Sequence, residues 1–254
     1  MSQIAQPSSG AADIRSRLEA AGNPARAISE ANYLKSTIHH FGASVPAVRK
    51  VVKQWLREHP AMAHDDLVAV CDGLWAEPVH EMRLATVELV LARPKLFGPA
   101  DLAWLEQLLR ECGTWALLDA LASDGVGRIV RDHPESASVL DRWLTDDDFW
   151  IRRSAVLALR PSLRVGAQSD RFLRYADALL PEREFFVRKA IGWVAREEGR
   201  RHPDIISMWL RENMDPPNPD RMNLVTLREA VKYLPDGEEL LAAYRQSRRR
   251  NDSG

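Results

Sequence analysis

Ala85, Ala120, Ala155 and Ala190 stand 35 residues apart, and Ala230 follows after 40. Each lies in a stretch whose apolar residues recur at helical spacing. A unit of this length holds two helices and a turn, and it cannot bury its apolar face without a neighbour of the same kind. A small residue at a fixed place in every unit lets adjacent helices approach closely. The spacing therefore predicts an α-solenoid, and the five extra residues before Ala230 fall in the Pro-broken loop Asp215-Pro216-Pro217-Asn218-Pro219. Two positions ahead of four of the alanines stands an arginine (Arg83, Arg153, Arg188 and Arg228), whereas Leu118 precedes Ala120. A non-repetitive helical bundle with chance spacing is the plainer alternative.

Strand signals are nearly absent, while helical periodicity runs from Ile14 almost to Tyr244. Ser44 before Pro46, Pro99 before Asp101 and Asp147 before Trp150 read as helix starts; Pro60, Pro94, Pro134 and Pro203 read as stops. His133 and His202 each precede a proline at a helix end, a capping position first of all. The resulting fold class is all-α, a solenoid of HEAT-like helical repeats with one helix of each pair lining a concave face. The expected organisation is a flexible tail over residues 1–10, a single HEAT-like repeat domain over 11–247 and a flexible tail over 248–254.

Hydrophobic residues make up 45% of the 254 and charged residues 28%, which excludes collagen and wholesale disorder. The formal net charge of −1 argues against a chain that coats nucleic acid everywhere, but says nothing of where charges lie. Six basic residues are Lys and 29 are Arg, a bias that suits bidentate phosphate contacts and that a GC-rich genome also produces. Cys71 and Cys112 lack the spacing of a redox or zinc pair. No apolar run resembles a leader peptide or a membrane span, so a cytoplasmic chain without a membrane partner is expected.

Trp115 and Asp119 are four apart and share a helix face. Projected through the repeats, Trp193 falls one turn further along the equivalent face, and Arg153 lies between them, one position out of phase. The curved surface is thus expected to carry an acid flanked by two indoles, with arginines beside it. Taken singly, each tryptophan reads as packing and each Asp near an Arg as a structural ion pair; the grouping is what suggests more. No His-Glu-x-x-His, Gly-x-Ser-x-Gly or phosphate loop is present. The seven histidines show no ligand spacing, so neither metal nor cofactor is expected.

The stretch Phe185-Phe186-Val187-Arg188-Lys189-Ala190-Ile191-Gly192-Trp193-Val194-Ala195-Arg196-Glu197 resembles the signature of the bacterial DNA alkylation repair family, the AlkD-type HEAT-repeat DNA glycosylases. Trp115-Ala-Leu-Leu-Asp119 and His133-Pro134-Glu135 match that family's Trp-Asp-x-x-Asp and His-Pro-Glu elements in part. Tyr33-Leu34-Lys35 and Gly42-x-x-x-Pro46-x-x-Arg49-Lys50 resemble its N-terminal region, and the likeness runs in order from about residue 14 to residue 234. The resemblance implies a concave surface that binds duplex DNA and excises N3- and N7-alkylated purines, and a monomer is expected. It implies Asp119 as the catalytic carboxylate, Trp115 and Trp193 as its groove-lining partners at the catalytic site, and Tyr33 and Arg153 as DNA contacts; Arg49, Lys50, Arg188, Lys189, Arg196 and Arg228 are expected as further DNA contacts. One departure is plain: Ala116 stands where the family has the first Asp of Trp-Asp-x-x-Asp.

Alkylation at N3 or N7 makes a purine cationic, so it leaves as a neutral base and needs no general acid. One fixed carboxylate is then enough to stabilise the developing oxocarbenium ion and hold a water. Two other classes remain open on the sequence: a solenoid that binds a protein, and a recogniser of distorted duplex without catalysis.

Overall fold

The computed structural model describes residues 9–214 and 222–251, with side chains through Arg248. The Pro-broken loop at 215–219 lies outside the described residues, as do 1–8 and 252–254 of the two expected tails. The chain folds as two compact units, Met1–Gly125 and Val126–Gly254. Among the described residues the fold is all-α, and the one β-type pairing is an isolated parallel bridge between His39 and Val79.

The first unit holds α1 (Ser9–Ala20), α2 (Pro24–Leu34), α3 (Val45–Glu58), α4 (His64–Trp75), α5 (His80–Ala92), α6 (Leu102–Glu111) and α7 (Trp115–Ala120). The second holds α8 (Gly127–Asp132), α9 (Ser138–Trp143), α10 (Phe149–Leu157), α11 (Arg160–Arg164), α12 (Ser169–Leu179), α13 (Phe185–Gly199), α14 (Pro203–Glu212), α15 (Leu224–Ala230) and α16 (Gly237–Asn251). Several helices are shorter than the periodicity alone suggests, because 3₁₀ and π turns interrupt the runs. The longest such run is α7, which continues through a π-helical turn, Leu121–Val126.

The amphipathic pattern explains the packing. In α3, Val48, Val52, Trp55 and Leu56 are buried at helical spacing while Arg49, Lys50 and Lys53 face out. In α13 the buried stripe is Val187, Ala190, Ile191, Val194 and Ala195. Of the five repeat alanines, Ala85, Ala155, Ala190 and Ala230 are fully buried, as a close-approach role requires, whereas Ala120 is only half-buried and departs from that pattern.

Capping follows the signals with one shift. Ser44 caps α3, its hydroxyl accepting the Ala47 N–H at 3.3 Å. At α10 the cap is Asp148 rather than Asp147: its carboxylate accepts the Trp150 N–H at 2.9 Å. Pro60, Pro94 and Pro134 follow helix ends, while Pro203 opens α14 at a position where its missing N–H costs nothing.

The turn between α2 and α3 is fixed from a distance. The buried carboxylate of Glu81, on α5, accepts the backbone N–H groups of Phe41, Gly42 and Ala43 at 2.9, 2.6 and 3.0 Å. Gly42 has φ +83°, and a Cβ there would meet the Asn23 carbonyl at 2.0 Å, so only glycine fits.

Candidate nucleic-acid interface

In the first unit, α7 divides its side chains cleanly. Leu117 and Leu118 are buried, whereas Trp115, Ala116, Asp119 and Ala120 are half-exposed. Trp115 and Asp119 stand one turn apart on that accessible side. Tyr33, in the last turn of α2, is 73% exposed and meets Trp115 edge-on, with ring centroids 6.1 Å apart and planes at 83°. Such an edge contact adds on the order of 1 kcal/mol beyond area burial. The fold thus brings Tyr33 to Trp115 across 82 residues of sequence.

Arg49 and Lys50 are both exposed on α3, but adjacent positions on a helix diverge. The Arg49 guanidinium donates to Glu88 at 2.8 Å and lines an open cavity of about 710 Å³ with Lys53, Arg57 and Arg93. Lys50 lines a separate one with Arg17 and Gln54. They do not form one patch.

In the second unit most of the expected contacts gather on α13. Arg153 is 3% exposed, and its guanidinium donates to the Phe186 carbonyl. Arg188 donates to the Glu182 carbonyl at 2.5 Å. Arg83, in the first unit, does the same to the Glu111 carbonyl at 2.6 Å. Three of the four repeat arginines thus hold backbone oxygens, and Arg228 is the exposed one. Lys189 and Arg196, on one face of α13, both reach the buried carboxylate of Glu229 on α15, which Lys232 also meets at 2.9 Å. Gly192 lies between them, where a Cβ would stand 2.7 Å from that of Glu229. Much of the motif around Lys189-Ala190-Ile191-Gly192 therefore joins α13 to α15.

Trp193 is half-buried, and one of its faces is occupied. The Arg160 guanidinium sits 4.1 Å from its ring centroid, and its indole N–H donates to Glu197 at 2.9 Å. Arg160 and Glu197 pair through bonds of 2.7 and 3.1 Å. Burial alone would raise the Glu197 carboxyl, but Arg160, Arg164 and the indole N–H together hold it below the usual carboxylate range. Sequence reasoning missed this clamp; the i, i+4 spacing of Trp193 and Glu197 is its one local signal. It also missed the ring cluster of Phe149, Trp150 and Phe186 at the start of α10 and α13, with Trp150 and Phe186 centroids 5.1 Å apart.

The family model described as DNA alkylation repair enzyme matches residues 14–234 of the chain. The protein belongs to the DNA alkylation repair family. Membership gives it a role in DNA alkylation repair and, with that, DNA as its partner. Its helical-repeat fold is shared with a predicted DNA alkylation repair enzyme from Enterococcus faecalis, at 21% identity and a TM-score of 0.74, over 84% of this chain and 97% of that one. AlkD2 from Streptococcus mutans is similar over 82% of this chain and 97% of its own, at 15% identity and a TM-score of 0.57. A comparison with curated proteins returns no match. Among the described residues of this family member, no helix is long and apolar enough to cross a membrane.

Proposed function

We propose that the protein is a monofunctional DNA glycosylase that hydrolyses the N-glycosidic bond of cationic N3- or N7-alkylated purines, such as 3-methyladenine and 7-methylguanine, in duplex DNA. The observation that carries this reading is the accessible pair on α7, Asp119 one turn from Trp115, with Tyr33 edge-on to the indole. The π-helical turn directly after it, Leu121–Val126, supports the assignment, because such turns recur at functional sites.

The chemistry asks little of the protein. The C1′–N bond breaks and its electron pair passes to the purine, which leaves neutral. Positive charge grows on C1′ and the ring oxygen, and the Asp119 carboxylate stabilises it. A water held by the same carboxylate bonds to C1′ and passes its proton by way of Asp119 to solvent, leaving an abasic sugar. The aromatic faces of Trp115 and Tyr33 favour a cationic sugar through cation–π attraction. Because the leaving base carries its own charge, the step calls on neither a cofactor nor a general acid. On the second unit, Arg228 and the half-exposed Lys189 contact phosphates, and Trp193 offers the face that Arg160 leaves open.

Asp119→Asn keeps the shape and removes the charge. Release of 7-methylguanine from methylated duplex should fall by roughly 100-fold or more, the usual loss for one fixed electrostatic stabiliser, with duplex affinity retained. Unchanged release would remove Asp119 from the chemistry.

A further inference from the structure

Glu30 of α2, His40 of the following turn and His80 at the start of α5 are far apart in sequence, yet one ligand-type atom from each lies within 4.8 Å of the other two. His40 is 6% and His80 3% exposed. Four polar atoms here are buried without a hydrogen-bond partner: Glu30 Oε2, both ring nitrogens of His40, and His80 Nδ1. Buried polar groups without partners are uncommon in folded proteins, so their convergence marks a place shaped for a bound group, and one ion would engage three of the four: the Glu30 oxygen and one nitrogen of each ring.

The surroundings hold the donors in place. The His39–Val79 bridge fixes the turn to the start of α5, with the His80 N–H donating to the His39 carbonyl at 2.9 Å. Glu81, next to His80, grips the three N–H groups that follow His40. The two imidazoles lie nearly parallel, centroids 4.5 Å apart. Arg26 binds only the Oε1 side of Glu30, at 3.1 Å, leaving Oε2 3.8 Å from His40 Nδ1. A cavity of about 620 Å³, lined by Ile28, Ala31, His39 and His40 among others, lies against the His40 side of the cluster.

From this geometry we infer that Glu30, His40 and His80 form a three-residue binding site for one zinc ion. Two imidazole nitrogens and one carboxylate oxygen are a donor set that zinc takes readily and that magnesium and calcium do not. Ligand atoms around tetrahedral zinc stand about 3.4 Å apart and each imidazole binds an ion in its ring plane, so on binding the donors, all within 4.8 Å of one another, draw together by up to about 1.4 Å and one ring turns out of the stack.

The fold shows what the ion does. Helix α2 has no buried residue, so apolar packing holds it weakly. It carries Glu30 and, one turn on, Tyr33, the partner of Trp115. Zinc ties α2 to α5 through Glu30 and His80, and so fixes the helix that presents Tyr33.

The test uses the untagged full-length chain, stripped with a chelator and titrated with Zn²⁺ against a chromophoric competitor. One zinc per chain is expected, with slower amide exchange over residues 24–34. Cobalt in place of zinc should give the intense visible bands of a four-coordinate site. Glu30→Gln and His40→Asn should each weaken zinc by on the order of 100-fold, at least the loss seen when an outer-shell partner is removed. Should His40→Asn fail to fold, Glu30→Gln, at the accessible edge of the cluster, still decides the matter. Absence of stoichiometric zinc on the folded chain, or affinity undiminished in Glu30→Gln, would overturn the site.

Discussion

Gly192 of α13 lies so close to Thr226 of α15 that a methyl group on the glycine would stand 2.5 Å from the Thr226 carbonyl oxygen. The Thr226 hydroxyl donates in turn to the Arg188 carbonyl at 3.0 Å. The two helices are therefore sealed by contact where the family-like motif is densest, and the cations around Glu229 brace the same seam. Gly192→Ala should lower stability by about 1–3 kcal/mol, the range for overpacking a tight contact, and a shifted urea midpoint at unchanged slope would report it.

The repeat spacing was legible because close approach demands a small residue at one place in each unit, and alanines at fixed intervals record that demand directly. Where the repeat arginines end was not. Phase fixes the side of the helix a guanidinium leaves from, but whether it stops at a carbonyl, as Arg153 does at Phe186, or continues to solvent, as Arg228 does, depends on a neighbour some 30 residues away. The same holds for Tyr33, which resemblance suggested and only the fold sets against Trp115. Histidine spacing gave no ligand pattern because Glu30, His40 and His80 meet through a turn held by Glu81 rather than along one helix.

That distinction among arginines can be measured. Duplex affinity should fall steeply with salt, and Arg228→Ala should flatten the slope by about one phosphate contact. Arg153→Ala should instead cost about 2 kcal/mol of stability, the loss of a charged hydrogen bond from a buried guanidinium to the Phe186 carbonyl, and leave the slope as it was. Binding titrations across a salt series, paired with denaturation curves, separate the two effects.

A pH signature should come from His64, at the start of α4. Its ring bonds Asp65 at 2.6 Å and Asp101 at 2.7 Å, and these two acids, Asp65 first, raise its affinity for a proton. Protonated His64 stabilises the fold fully below its ordinary value of about 6.5, and the contribution fades as pH rises through the raised folded value. The ring is more than a third exposed, so the effect should stay under about 1 kcal/mol. Denaturation of His64→Asn should lack this loss of stability toward alkaline pH.

Substrate range should follow from Ala116. It is half-exposed beside Trp115 on α7 and adds neither charge nor bulk. Bulky cationic N3-adenine or N7-guanine adducts should be released at least as well as methyl lesions, while uracil and 8-oxoguanine, whose bases leave without a positive charge to shed, should stay in place. Matched oligonucleotides bearing each lesion decide it; efficient uracil release would contradict the charge-driven step, and confinement to methyl adducts would contradict the reading of Ala116.

The grip of Glu81 on Phe41, Gly42 and Ala43 also sets an order of events at the ribosome. The carboxylate that orders this turn is made about 40 residues after it. At ordinary rates of synthesis that is a delay of roughly 2 to 8 seconds. Throughout it α2, with no buried residue of its own, has no fixed place to dock. The surface that presents Tyr33 is thus completed from its distal end, and a chain cut short before Glu81 carries the sequence of that surface without its shape.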